Sequence, residues 1–439
     1  MITQRRFDEL AAKHNTPGAV VGVLTGDEVH QLATGVLHVG TGAATAVDSL
    51  FQIGSITKPY TATMLMRLVE QGRVGLETRV VEVLPDFRVA DPQASEHVTM
   101  RHLLTHTSGI AGDFVHDTGR GDDTLARYVA ACADLPQEHP LGSTMSYSNT
   151  GYNIAGRVIE VLTGLVWDEA LRTLVLDPLG AGHTWTLPED VLRFSAAMGH
   201  TLSPDTGRPV PASVWIPGFR SDGPCGNISA SAADILAFAR LHMSDPRLAV
   251  MREPQVAVPS PLVDHWGLGW NLWTWDGHPV FGHSGDTMGG QSAQLRVVPD
   301  KDVAMVLLTN IGDSTEFQEE LLGQLLRELC DIEVPPRPSP PAEPVRIDDL
   351  GRFVGIYERS DARVDITLDD ERSALRLRHA VSGIMADFDA PFEFGLTPVS
   401  DTMFVGRESD TARWKAVVFD DDYIYVGIRV YARNRAARP

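Results

Sequence analysis

Lysine is the residue this chain has least reason to use: Lys13, Lys58, Lys301 and Lys415 stand against thirty-three arginines. Arginine keeps its proton in any protein environment, whereas a lysine can be neutral, so a lysine kept near other polar groups draws attention. Cysteine is scarce as well. Cys132, Cys225 and Cys330 are odd in number and far apart, which fits neither a disulfide framework nor a metal-ligand spacing; they read as small reduced core residues, and no cofactor or metal is called for. Positive balance is missing too, and a net charge of −21 argues against a nucleic acid partner or an anionic membrane surface. No apolar run approaches the ~20 residues of a membrane span. The opening residues Met1 to Arg6 lead into Phe7-Asp8-Glu9-Leu10, an amphipathic helix start without the apolar core of an export signal, so the expected location is the cytoplasm.

What is present suffices for two domains: 439 residues, 43% of them hydrophobic. Residues 19–24 and 29–37 read as a strand hairpin turning at Gly26-Asp27. Between residues 74 and 243 the periodicity is helical, over 100–105, 123–133, 152–162, 168–176 and 232–243. Strand patterns return at 269–275, 278–285, 292–298 and 303–308, and a helix over 317–329 follows. Strands at both ends with helices between predict an α+β fold, one antiparallel sheet flanked by helices beside a helical lobe. Residues 334–345 are a proline-rich, stiff linker. Beyond it come only short strands, at 355–357, 363–368, 374–378, 402–405, 414–419 and 423–431, which predict a small all-β barrel. The expected domains are therefore 1–333, linker 334–345, and 346–439.

Three short stretches carry chemistry. Ser55 and Lys58 sit three apart at the head of an apolar helix closing at Gly72, hence on one face. A neutral lysine could take the serine proton, and the helix N-terminus would favour a nearby oxyanion. Alone, Ser-x-x-Lys recurs by chance roughly once or twice in a chain of this length. Tyr147 and Asn149 lie in a loop before the next helix, where a phenol could relay a proton and an amide could hold the lysine; the same residues would equally serve as a helix cap and a packed ring. His283-Ser284-Gly285 sits on a strand, where the histidine could donate to a substrate carboxylate or oxyanion, or be an ordinary edge-strand residue.

Ser-x-x-Lys, Tyr-x-Asn and His-Ser-Gly, in that order, resemble the penicillin-recognising serine enzymes: class C β-lactamases, D-alanyl-D-alanine carboxypeptidases and related esterases. Residues 100–110, with Leu103-Leu104-Thr105-His106-Thr107-Ser108-Gly109, and Asp177-Pro178-Leu179-Gly180 and Gly267-Leu268-Gly269-Trp270 agree, and the likeness spans about residues 5–330. It implies Ser55 as the acylated nucleophile, Lys58 and Tyr147 as the proton-transfer pair, and Asn149 as the residue steering Lys58 and substrate. The backbone amides of Ser55 and Asp286 would form the oxyanion hole, with Ser284 and Gly285 beside the substrate. His283 stands where the family often has lysine, a departure shared with its esterase and peptidase branches.

The fused barrel is similar to the lipocalin-like domain of penicillin-binding-protein-type thioesterases, which release nonribosomal peptides as rings. That resemblance implies a peptidyl carrier protein, or its peptidyl thioester, as partner, and macrolactam formation as outcome. A cytoplasmic esterase or D-amino-acid peptidase of the same family, and a non-catalytic peptide-binding or scaffold member, are the alternatives. In the stretch 423–431, read as one strand, Arg429 falls on the face opposite the aliphatic one and could grip a substrate carboxylate, or be solvated. Trp270, Trp273 and Trp275 could line a peptide cleft or pack in a hairpin.

Overall fold

Strands β1 (Gly18–Thr25) and β2 (Glu28–His38) form the expected hairpin, turned by Gly26 at φ +57°. They belong to a nine-stranded antiparallel sheet completed by β3 (Ala43–Ala44), β4 (Val256–Ala257), β5 (His265–Trp266), β6 (Asn271–Trp275), β7 (His278–Asp286), β8 (Ser292–Val298) and β9 (Val303–Thr309). The order is β3-β2-β1-β9-β8-β7-β6-β5-β4, so the sheet's first and last strands in sequence, β1 and β9, lie side by side, with Ala19 opposite Thr309. This computed structural model describes residues 2–216, 218–312, 314–369, 373–383, 386, 390–410 and 412–435.

Both faces of the sheet are covered, which is why β1 and β9 read as near-continuous apolar runs rather than alternating ones, and why β8 is buried along its whole length. On one face Ala19, Val21, Val23, Met305 and Leu307 pack with Phe7 and Leu10 of α1 (Gln4–Lys13) and with Phe317, Leu321 and Leu325 from the last helix before the linker, Thr315–Cys330. On the other, Val20, Leu24, Leu295 and Val306 meet Ile56, Leu65 and Leu68 of the serine segment and its helix α2 (Thr57–Glu70), Ile154 and Val158 of α3 (Asn149–Thr163), and Leu236 and Phe238 of α4 (Ala232–Ser244). Burying each such side chain contributes roughly 1.5–3 kcal/mol. The helix Thr315–Cys330 is α5.

The eight strands β10 (Gly355–Arg359), β11 (Ala362–Leu368), β12 (Leu375–Val381), β13 (Phe392–Pro398), β14 (Met403–Gly406), β15 (Lys415–Phe419), β16 (Tyr423–Val426) and β17 (Arg429–Arg433) close into a barrel, with Tyr357 pairing Arg433. Val364, Ile366, Leu377, Phe394, Phe404, Phe419 and Ile424 fill it. Two details correct the sequence reading. Strand β13 was not anticipated, because Gly395 and Pro398 depress its strand signal. The stretch 423–431 is a hairpin and not one strand: Gly427 at φ +66° turns the chain so that Val426 pairs Arg429. The even alternation of aliphatic residues concealed a turn that only glycine's access to the left-handed region permits.

That hairpin tip reaches the catalytic lobe. The Tyr147 amide donates to the Ile428 carbonyl at 3.0 Å and the Val430 amide to Ser146 Oγ at 3.2 Å. On the sheet side, β7 runs tightly past the serine turn: a Cβ on Gly285 would stand 1.9 Å from the Ile53 carbonyl oxygen and 2.9 Å from the Ser55 nitrogen. Neither backbone atom can yield without separating strand from turn. Gly285→Ala is therefore expected to retain the fold with a melting temperature lowered by several degrees, as ~1–3 kcal/mol of overpacking requires, and to lose covalent labelling of Ser55 by a fluorophosphonate. Wild-type labelling by intact mass would show that the close approach is dispensable.

Candidate active site

Ser55 lies in the tight turn Gly54–Ile56, which runs directly into α2. Gly54 has φ +50°, and a Cβ there would lie 2.9 Å from the Asp286 nitrogen. The end of β7 and the serine turn thus interlock through two glycines, bringing the Ser55 and Asp286 amides to the same place. Lys58, one residue into α2 and 0% exposed, sets its Nζ 3.0 Å from Ser55 Oγ, 2.7 Å from Asn149 Oδ1 and 2.9 Å from the Cys225 carbonyl oxygen. The last two groups can only accept. A neutral amine would spend its two N–H bonds on them, which leaves its lone pair aimed along the third direction, at the serine oxygen.

Asn149 opens α3, whose N-cap Ser148 accepts from the Gly151 amide at 3.0 Å. The cap is therefore Ser148 and not Asn149, as the cap reading had it, and Asn149, the first helical residue, keeps its side chain for Lys58. Tyr147 places its ring face toward Lys58, with Nζ 4.7 Å from the centroid. Arg429 stands 5.1 Å from the same ring centroid. Its guanidinium already holds a carboxylate of the protein itself: Nε and Nη2 donate to Asp113 at 2.6 and 3.1 Å.

His283 is buried and donates Nδ1–H to the Ser284 carbonyl at 2.6 Å. A carbonyl oxygen cannot donate, so the neutral ring keeps its other nitrogen, Nε2, as an acceptor. Donation to a substrate carboxylate or oxyanion, expected from sequence, would require a charged ring. Burial, with Lys58 adding to it, pushes the His283 pKa down to about 3 and opposes that charge.

Several site residues escaped the sequence reading. His106, at φ +59°, accepts from the Ser148 amide through Nδ1 at 2.9 Å and from the Ser146 amide through its carbonyl at 2.9 Å, bracketing Tyr147 on both sides. Its ring also lies 4.5 Å from that of Tyr147. The run Thr105-His106-Thr107-Ser108-Gly109 was the available signal. Asp113, Arg359 and the Cys225 carbonyl carried none, since their partners are distant in sequence.

Ser55, Tyr147, Asn149, His283, Ser284, Asp286 and Arg429 border one cavity of about 810 Å³. It continues along Trp266, Trp273 and Trp275 to α5 and the linker residues Val334 to Arg337, and the barrel tip, Val426 to Arg429, forms another wall. Of the three tryptophans in question, Trp273 and Trp275 border the cavity, while Trp270 is buried against Phe238 and His242.

The beta-lactamase family profile matches residues 3–327. Penicillin-binding protein 4 of Amycolatopsis lactamdurans is 48% identical over 372 residues, covering 81% of this chain and 97% of that one. The chain belongs to the beta-lactamase family. Among solved structures, SurE is similar with a TM-score of 0.81 at 26% identity, and SurE with D-Leu with 0.78 at 27%, each covering 98% of both chains. The protein is thus a serine enzyme of the acyltransferase and hydrolase type, carrying a closed C-terminal barrel on the family's catalytic fold. Among the described residues, no helix is long and apolar enough to cross a membrane.

The buried histidines make stability depend on pH. His242 is likewise pushed down to about 3 by burial, with Arg252 and Arg67 adding to it. An unfolded histidine titrates near 6.5, so between about 6.5 and 3 the unfolded chain binds more protons, and stability falls as pH falls through that window. Unfolding free energies from urea titrations are expected to drop by about 1.4 kcal/mol per pH unit for each such histidine. His283→Asn should flatten the slope by about one proton; an unchanged slope would mean that His283 takes up a proton in the folded protein.

Proposed function

We propose that this enzyme takes a peptidyl thioester from a carrier protein onto Ser55 and releases it as a macrolactam by attack of the peptide's own amine. Lys58 accepts the Ser55 proton as the ester C–O bond forms, the C–S bond breaks, and the proton leaves with the thiol through Tyr147. In the second half the amine forms the C–N bond, the Ser55 ester bond breaks, and the amine's proton returns to the serine oxygen by the same groups. The Ser55 and Asp286 amides hold the oxyanion in both halves.

The observation that carries the acyl chemistry is the Lys58 amine, enclosed with two pure acceptors and Ser55 Oγ. Support for ring closure comes from the likeness to SurE, a penicillin-binding-protein-type thioesterase, over 98% of both chains, barrel included. The structure of SurE with D-Leu supports a D-configured residue at the acylated end. A cavity walled by the barrel tip suits the task, since cyclisation needs the peptide's amine delivered and water kept away. The 48% identity to a penicillin-binding protein favours a second reading, a D-amino-acid peptidase or esterase that completes the same acyl-enzyme with water.

A peptidyl-pantetheine thioester with a D-residue at its C-terminus is expected to give cyclic product, and Ser55→Ala none. Exclusive formation of linear acid across several such peptides would transfer the assignment to the hydrolase. Lys58→Arg puts in its place a cation that cannot act as base, and should slow Ser55 acylation by ~10²–10⁴-fold.

A further inference from the structure

We propose that Asp113 is a positioning residue for acylation of Ser55, and that Arg359 and Arg429 hold it in place, so that docking of the barrel completes the active site. The inference rests on the serine reading above and goes beyond it by making a second domain part of the first one's catalytic geometry.

The argument starts from Asn149. A carboxamide has an accepting end and a donating end, and Lys58 is served only by the first. Which end faces Lys58 is decided by what meets the other. Here Asn149 Nδ2 donates to Asp113 Oδ1 at 2.7 Å, while Oδ1 accepts from Lys58 Nζ at 2.7 Å. A carboxylate accepts and never donates, so an ionised Asp113 selects this orientation and rejects the reversed one.

Asp113 has a side chain only 3% exposed, and a buried carboxylate without countercharge would take up a proton. Both countercharges come from the barrel. Arg429 on β17 makes its two-pronged contact at 2.6 and 3.1 Å, and Arg359 on β10 places Nη1 2.9 Å from Oδ2. Arg359 also pairs with Asp361 at 3.0 Å, so two arginines face two carboxylates. Burial pushes the Asp113 carboxyl up, yet Arg429 and Arg359 outweigh it and hold the group below the ordinary carboxylate range. Strands β10 and β17 are the pair that closes the barrel, so the arginines arrive together on one rigid seam. The hairpin that carries Arg429 also bonds the Tyr147 backbone, and the barrel thereby braces both halves of Tyr-x-Asn.

The test uses the full-length chain and the rate of Ser55 acylation by a fluorophosphonate, followed by intact mass at 25 °C, with melting temperatures alongside. Asp113→Asn removes the selecting charge and is expected to slow acylation ~10–100-fold, the effect usual for an outer partner that orients a reacting group. Asp113→Glu should recover part of the rate. Loss of the orientation matters only through Asn149, so Asp113→Asn on an Asn149→Ala background should cause no further slowing. Arg359→Lys reaches the site through Asp113 alone and keeps the test decisive should Asp113→Asn not fold: it is expected to slow acylation less, and again not at all on the Asn149→Ala background. A folded Asp113→Asn or Arg359→Lys protein acylating at the wild-type rate, or effects that simply multiply with that of Asn149→Ala, would overturn the inference. A wild-type chain that takes no label would instead remove the serine assignment, and the inference with it.

Discussion

Complete enclosure of one amine is the constraint on which the architecture turns. Lys58 has no solvent, so each hydrogen-bonding direction of its nitrogen must meet a protein atom or cost several kcal/mol. Three separate pieces of chain supply those atoms: the serine turn, the first residue of α3, and the carbonyl of Cys225 at the short helix Gly223–Gly226. None is adjacent to another in sequence. The sheet, the helical lobe and the two interlocking glycines at Gly54 and Gly285 bring them within 3 Å of one nitrogen.

The same economy governs the loop around Tyr147. His106 holds the amides on either side of it, and the barrel hairpin takes the amide of Tyr147 itself, so three consecutive backbone donors have fixed acceptors. The phenol therefore sits on a loop with little freedom, between Lys58 and Arg429. Tyr147 is thus a loop residue whose backbone, with those of its two neighbours, is bonded as a strand's would be.

Sequence periodicity revealed the sheet, the helical lobe and the barrel because each depends on local apolar patterns: 19–24 and 303–308 are legible as strands without knowing that they pair. The spacing Ser55 to Lys58 was legible for the same reason, being one helical turn. Asp113 was not. Asn149 and Arg429 lie 36 and 316 residues away and Arg359 between them in sequence, and a lone aspartate in a loop looks the same whether it is solvated or clamped. Arg429 was noticed but its partner Asp113 was not foreseen, and the turn at Gly427 was hidden in an unbroken alternation of aliphatic residues. The tautomer of His283 follows from the carbonyl of Ser284, a backbone contact that no residue type announces.

The proline-rich stretch after α5 does more than separate two folds. Val334 to Arg337 border the cavity, and Arg337 pairs with Glu319 of α5, so the tether is anchored at its start and only a short length remains free before β10. A tether of that reach keeps the barrel near its dock at an effective concentration on the order of millimolar. Reassembly after any opening is then a first-order event within one molecule, and diluting the enzyme does not separate the two halves of its active centre.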